Sequence, residues 1–148
     1  MEEHTLLGVC GLYCGSCSHY KIAQPDGTAF LQIKRKEDPQ YEECYGCRSK
    51  RTTKYCSDCD LRSCAEKRNL LHCGLCEEYP CANMKEFQLD GKPHHVVVLD
   101  NLEHLKRTTP EQWLLEQDKR WKCKCGTRYS WYEAICLNCG SRLPSYSK

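Results

Sequence analysis

The sequence has few of the large apolar side chains that a protein of its length uses to build a core. Its 148 residues include only two Phe and two Met, and its best apolar run, residues 96–99, is short. Fifteen Cys supply much of the nominal hydrophobic fraction of 40%. So little apolar burial cannot offset the ordering entropy of the chain. Disulfides or metal ions are therefore expected to stabilise the fold.

Signals for export and for membrane insertion are also missing. The first ten residues are acidic and lack the apolar core of a signal peptide. No stretch approaches the roughly 18 apolar residues of a membrane span. We therefore expect a cytoplasmic protein without membrane contact, whose thiols stay reduced. The odd number of Cys, and the pairs with two residues between them, favour metal binding over a disulfide scaffold.

Motifs for catalysis are scarce as well. The sequence has no Gly-rich phosphate loop and no Ser with His and Asp at readable spacing, and its six His are scattered. A catalytic zinc keeps an open position and usually has His or carboxylate ligands, whereas all-Cys sites are closed. We assign no catalytic residue and expect a non-enzymatic binding or adaptor module.

The cysteines are distributed unevenly along the chain. Eleven lie between positions 10 and 81, none lies between positions 82 and 122, and four lie between positions 123 and 139. This distribution predicts a Cys-rich metal-binding module at 1–90, a helical connector at 91–118 and a zinc ribbon at 119–148. The expected fold class is a small, metal-stabilised, irregular α+β protein with short helices in its first module.

Helix signals surround and fill the connector. Pro80 suits a first helical turn and Gly91 a helix end. Thr109, Pro110 and Gln112 form the pattern of a capping box that opens a helix reaching about residue 120. Apolar residues at i, i+4 and i+7, namely Val98, Leu102 and Leu105, predict a second helix in the connector. The alternative for residues 96–98 is a strand.

The last module carries the most specific motif. Its cysteines follow the spacing C-x-C-x10-C-x2-C, and each pair is followed by a glycine, Gly126 or Gly140. Glycine tolerates the positive φ that lets backbone N–H groups point at sulfur in a thiolate turn. The segment resembles a zinc ribbon, although ribbons usually have two residues between the first two ligands. The predicted ligands are Cys123, Cys125, Cys136 and Cys139.

The first module begins with "VCGLYCGSC", whose C-x3-C-x2-C spacing also occurs in radical S-adenosylmethionine enzymes. Such an enzyme needs a large barrel around its cofactor, and the chain is too short to supply one. Two later segments share the spacing C-x2-C-x4-C-A, which suggests one local structural motif that occurs twice. The predicted metal ligands here are Cys10, Cys14, Cys17, Cys44, Cys47, Cys56, Cys59, Cys64, Cys73, Cys76 and Cys81.

Four segments of this module carry a family resemblance. "CGLYCGSC", "CYGCRS", "CSDCDLRSCAEK" and "CGLCEEYPC" resemble the pattern of the family catalogued as domain of unknown function 3795. The resemblance spans about residues 10–87, and the tail resembles members that carry a ribbon. It implies a Cys-rich, zinc-binding protein, and it implies no particular reaction.

Zinc and iron–sulfur chemistry both remain open for the first module, because tetrahedral thiolate sets suit either. Glycines within or beside the Cys pairs favour zinc, and three or four zinc ions are expected in total. An iron–sulfur cluster in the first module is the alternative, with a redox function. His19 and His72 are the nearest candidates to complete a site that lacks a fourth thiolate.

The charge distribution bears on partners. The chain carries 22 basic and 20 acidic residues, but residues 119–148 hold seven basic residues and one acid. A basic ribbon with aromatic residues can bind RNA or DNA. We expect a protein partner, with weak nucleic-acid binding through 119–148 as the alternative.

Overall fold

The computed structural model describes residues 4–146. Within that range the chain is mostly helical, with short 3₁₀ turns between several of the helices. The α-helices are α1 (Ser18–Ile22), α2 (Thr28–Glu37), α3 (Lys54–Ser57), α4 (Asp60–Lys67), α5 (Ala82–Gln88), α6 (Val98–Arg107) and α7 (Pro110–Arg120).

Extended structure is limited. Over residues 4–146 it consists of three isolated antiparallel bridges, two of which lie in the C-terminal segment. The α+β expectation is therefore not confirmed, and the fold is small and mostly helical. The longest stretches without Cys or Gly, residues 28–43 and 92–122, carry helices α2, α6 and α7, and Cys turns interrupt the segments between them. The bridged pairs are Leu7 with Tyr13, Lys122 with Arg128, and Ile135 with Arg142.

Helices α6 and α7 form as the sequence predicts. The three periodic apolar residues of α6 are all buried, and residues 96–98 do not form a strand. Thr109 caps α7, because its hydroxyl accepts a hydrogen bond from the backbone N–H of Gln112 at 3.1 Å. The side chain of Gln112 instead donates to Glu116, so the return bond of a full capping box is not made.

Helix α5 is shorter than predicted. Its N-cap is Cys81, so Pro80 lies before the first turn rather than within it. The helix ends at Gln88, before Gly91. Helix α4 likewise begins at Asp60 with Cys59 as N-cap, and no side chain caps it. In both helices the N-cap residue is therefore a predicted metal ligand.

One continuous apolar cluster connects the three predicted parts of the chain. The indole of Trp113, on α7, is fully buried and meets the ring of Tyr13 edge to face at 6.2 Å. Helix α6 packs against the 3₁₀ turn Cys73–Leu75, against α5 and against α7. Trp121 and Leu143 extend the same cluster to the C-terminal segment. The division at residues 90 and 118 stays a prediction, and the core runs across both boundaries.

The helices are also short. No helix within the described residues 4–146 is both long enough and apolar enough to cross a membrane.

Candidate metal centre

The four C-terminal cysteines come together in space. Their sulfur atoms all lie within 4.8 Å of one another. The Cys123 and Cys139 sulfurs are 3.5 Å apart, and those of Cys125 and Cys136 are 3.7 Å apart. A tetrahedral zinc ion with bonds of about 2.3 Å separates its sulfur ligands by about 3.8 Å. This group is therefore able to bind a metal ion.

Each pair of thiols sits on a tight turn that the backbone holds closed. In the first turn the Cys123 N–H donates to the carbonyl of Thr127 at 2.8 Å, and Gly126 has a φ of +90°. In the second turn the Cys136 N–H donates to the carbonyl of Ser141 at 2.9 Å. Gly140 follows with a φ of +75°, which a residue with a side chain rarely adopts. The single-residue spacing of the first pair does not prevent the sulfurs from converging.

Hydrogen bonds make these thiols unequal as acids. The hydroxyl of Thr127 and the amide of Asn138 stabilise the thiolate of Cys125 and lower its pKa to about 5. Ser141 lowers the pKa of Cys139 in the same way. The Cys125 N–H also lowers the pKa of Cys123, but partial burial and the neighbouring thiols outweigh it and raise that pKa to about 11. The group is partly charged before any cation binds.

Seven of the eleven N-terminal cysteines line one cavity of about 450 Å³. Helix α3 and the N-cap of α4 bring two of them, and the segments at residues 10–17 and 44–47 bring five. Aromatic residues from α2, α5 and the C-terminal segment complete the wall. The seven cysteines are Cys10, Cys14, Cys17, Cys44, Cys47, Cys56 and Cys59.

The other four N-terminal cysteines lie beside the cavity, and one of them, Cys73, is also near Cys10 and Cys59 of the cavity wall. Burial and the charges of Cys81, Cys64 and Cys76 raise the pKa of Cys73 to about 12. The guanidinium of Arg68 lies 3.4 Å from the Cys76 sulfur. The two segments that share the spacing C-x2-C-x4-C-A are therefore not used alike. The first sends two cysteines to the cavity and one, Cys64, toward the second segment.

The two histidines proposed as extra ligands are held by protein groups. The His19 Nδ1 lies 2.7 Å from the carbonyl of Glu42, and its ring stacks on Tyr41 at 4.2 Å. The His72 Nδ1 accepts a hydrogen bond from the N–H of Gly74 at 3.1 Å. Burial lowers the pKa of His72, which keeps it neutral. His19 also lines the cavity, so only its second nitrogen is available there.

Sequence reasoning missed the adjacent pair His94 and His95, which also line the cavity. The His94 ring stacks on Trp131 at 4.4 Å, and its Nδ1 lies 2.6 Å from the hydroxyl of Tyr132. Burial lowers the pKa of His94 to about 3. The His95 Nδ1 lies 2.8 Å from a carboxylate oxygen of Asp90. Two neighbouring His after a proline were a visible signal, but nothing in the sequence linked them to the cysteines.

Comparisons with known proteins place the chain in a family without assigning it an activity. A search of curated proteins and a search of solved structures found no match. The family model described as "Protein of unknown function (DUF3795)" matches residues 6–86. That region contains all eleven N-terminal cysteines and ends before the connector. It covers more than half of the 148 residues, and the chain therefore belongs to the DUF3795 family.

Proposed function

We propose that this protein binds zinc and that the four C-terminal thiolates hold one structural zinc ion in a zinc ribbon. The observation that supports this most directly is the convergence of the four sulfurs within 4.8 Å. A single ion explains so short a spacing, because every sulfur must touch the same metal. Four thiolates in a tetrahedral set suit zinc, and one iron ion is the competing occupant.

The proposed role of this zinc is structural, and the proposed activity of the protein is binding rather than catalysis. Four thiolates fill the coordination shell of zinc and leave no position for a substrate. A reducing, cytoplasmic location follows from the proposal, because zinc requires these thiols to stay reduced. We propose a protein as the binding partner.

Nucleic-acid binding through residues 119–148 has less support than a protein partner. The rings of Trp121 and Tyr129 are buried, and Trp131 already stacks on His94, so these three rings have little freedom to stack on bases. Two of the basic side chains are also engaged in ion pairs. Asp118 pairs with Lys122 at 2.9 Å and with Arg128 at 2.7 Å.

The metal content of the full chain tests the zinc proposal. Protein purified under reducing conditions is compared with the variants Cys136→Ser and Leu137→Ala. Leu137 lies in the same turn with its side chain about half exposed, so Leu137→Ala is the matched control. We expect one zinc ion fewer per chain in Cys136→Ser and an unchanged content in the control. Equal zinc in both variants, or iron in place of that zinc, would contradict the proposal.

A further inference from the structure

The cavity lined by seven cysteines has the size of a cofactor site. Its volume of about 450 Å³ lies in the range of roughly 300–1,000 Å³ that small-molecule sites occupy. Its wall combines the thiols with apolar rings, including Phe30, Phe87 and Trp131. Sulfur is the most frequent metal-binding atom in this wall.

The spacing of the thiols separates this site from the C-terminal one. Among residues 4–146, only the C-terminal group brings three or more Cys, His, Asp or Glu ligand atoms within 4.8 Å of one another. In this structure the sulfurs around the cavity are therefore spread more widely than those of the C-terminal group. In a four-iron, four-sulfide cluster each thiolate binds a different iron, so the sulfurs lie around a core rather than around a single ion.

Cys47 lies close to thiols of the other segments that reach the cavity. It is an electrostatic neighbour of Cys10 and Cys14 in the first segment and of Cys56 on α3. The guanidinium groups of Arg62 and Arg48 also lie near it. Two cations beside a thiol of the cavity suit a centre that carries net negative charge.

Backbone N–H groups already point at the sulfurs. The N–H of Gly46 donates to the Cys44 sulfur at 3.4 Å, from a turn in which Gly46 has a φ of +108°. The backbone N–H of Cys47 also donates to the Cys14 sulfur, and those of His19 and Tyr20 donate to the Cys17 sulfur. Hydrogen bonds of this kind orient thiolate ligands and tune the potential of iron–sulfur clusters.

We propose that the cavity is the site of an iron–sulfur cluster held by four of its seven cysteines, Cys47 among them. The cluster would lie within the DUF3795 region and would be separate from the C-terminal zinc. The inference is argued from the cavity and not from the proposed zinc ion. Iron and inorganic sulfide are also measured separately from zinc, so the two proposals can fail independently. It gives the protein a one-electron cofactor in addition to a structural metal.

The test uses the full chain, purified without oxygen and, if needed, reconstituted with iron(III), sulfide and excess thiol, which reduces half of the iron. We expect about four iron and about four sulfide ions per chain and a broad absorption near 400 nm that reduction bleaches. A colourless protein that takes up no sulfide after reconstitution would overturn the proposal. A protein whose cavity cysteines bind zinc alone would also overturn it.

Two cysteine variants assign the site. Cys47→Ser is expected to lose at least nine-tenths of the sulfide, whereas Cys64→Ser, whose thiol does not line the cavity, is expected to keep it. Circular dichroism at 222 nm shows whether each variant keeps its helices. If Cys47→Ser misfolds, the sulfide content of the wild-type chain still decides whether a cluster forms. Equal sulfide in folded Cys47→Ser and in wild type would contradict the assignment of Cys47.

Discussion

Gly11, in the first Cys turn, should be difficult to replace, because it packs directly on α6. A Cβ atom added to Gly11 would lie 2.9 Å from the Leu102 side chain and 2.9 Å from the carbonyl oxygen of Val98. Gly11 also has a φ of +90°, and its own carbonyl accepts a hydrogen bond from Asn101 at 2.8 Å. The substitution Gly11→Ala therefore adds both backbone strain and a steric clash.

The chain offers a matched control that separates the two effects. Gly91 has the same φ of +90°, but an added Cβ would meet nothing within 4 Å. Gly91→Ala should cost only the left-handed backbone conformation, about 1–2 kcal/mol. Gly11→Ala should cost that amount plus about 1–3 kcal/mol for overpacking against α6. The expected loss of stability is therefore about 2–5 kcal/mol for Gly11→Ala.

Thermal unfolding measures the difference between the two variants. For a chain of this length 1 kcal/mol corresponds to about 2–4 °C, so Gly91→Ala should lower Tm by about 2–8 °C. Gly11→Ala should lower Tm by about 4–20 °C. The samples must carry the same metal content, because bound metal itself raises Tm. Equal shifts in the two variants would refute the tight packing of Gly11 on α6.

Three further predictions concern metal and charge. Strong chelation under reducing conditions should collapse the amide NMR dispersion, since each structural zinc contributes about 10–16 kcal/mol, and a dispersed metal-free spectrum would contradict this. Zinc binding at neutral pH should release fewer than four protons, because Cys125, with a pKa of about 5, is already a thiolate. Thr127→Val removes a hydrogen bond that lowers the pKa of Cys125, so this variant should release more protons when it binds zinc. Calorimetry in buffers of different ionisation enthalpy measures the number of protons, and equal numbers in variant and wild type would refute the account. If the chain binds single-stranded RNA, Lys124→Ala should flatten the slope of log K against log salt by about 0.7. Lys122→Ala should flatten it less, because Lys122 is paired with Asp118. Equal slopes in salt titrations of the two variants would contradict this.

Local signals explain which helices could be predicted. Helix α6 carries three buried residues at helical spacing, and α7 begins at a Thr–Pro capping pattern, so both are visible in the sequence. Helix α2 has only one buried residue, Phe30, and its other side chains are partly or fully exposed. It has no apolar stripe to detect, although residues such as Ala, Leu, Gln, Lys and Arg favour a helix.

The C-terminal site could be predicted because its four ligands are close in sequence and each pair is marked by a glycine. The grouping of the N-terminal thiols could not be predicted in the same way. Cys59 and Cys64 are five positions apart on one segment, yet only Cys59 lines the cavity. Cys47 lies twelve residues before Cys59 and Cys73 lies nine residues after Cys64, and only tertiary packing decides which of these segments meet.

The C-terminal segment and the thiol-lined cavity are coupled, because residues 130–133 form part of the cavity wall. The Trp131 N–H donates to the carbonyl of Ser16 at 3.1 Å, which fixes the segment beside the first Cys turn. Lys21, on α1, pairs with Glu133 at 2.6 Å, and both side chains are largely buried. These contacts require residues 130–133 to hold one conformation. In the sequence, these residues lie between the two thiol turns at 123–126 and 136–140. If the proposed C-terminal zinc ion is bound, its loss should therefore open the cavity to water and oxygen. A cluster in the cavity should then become labile even though none of its own ligands has changed.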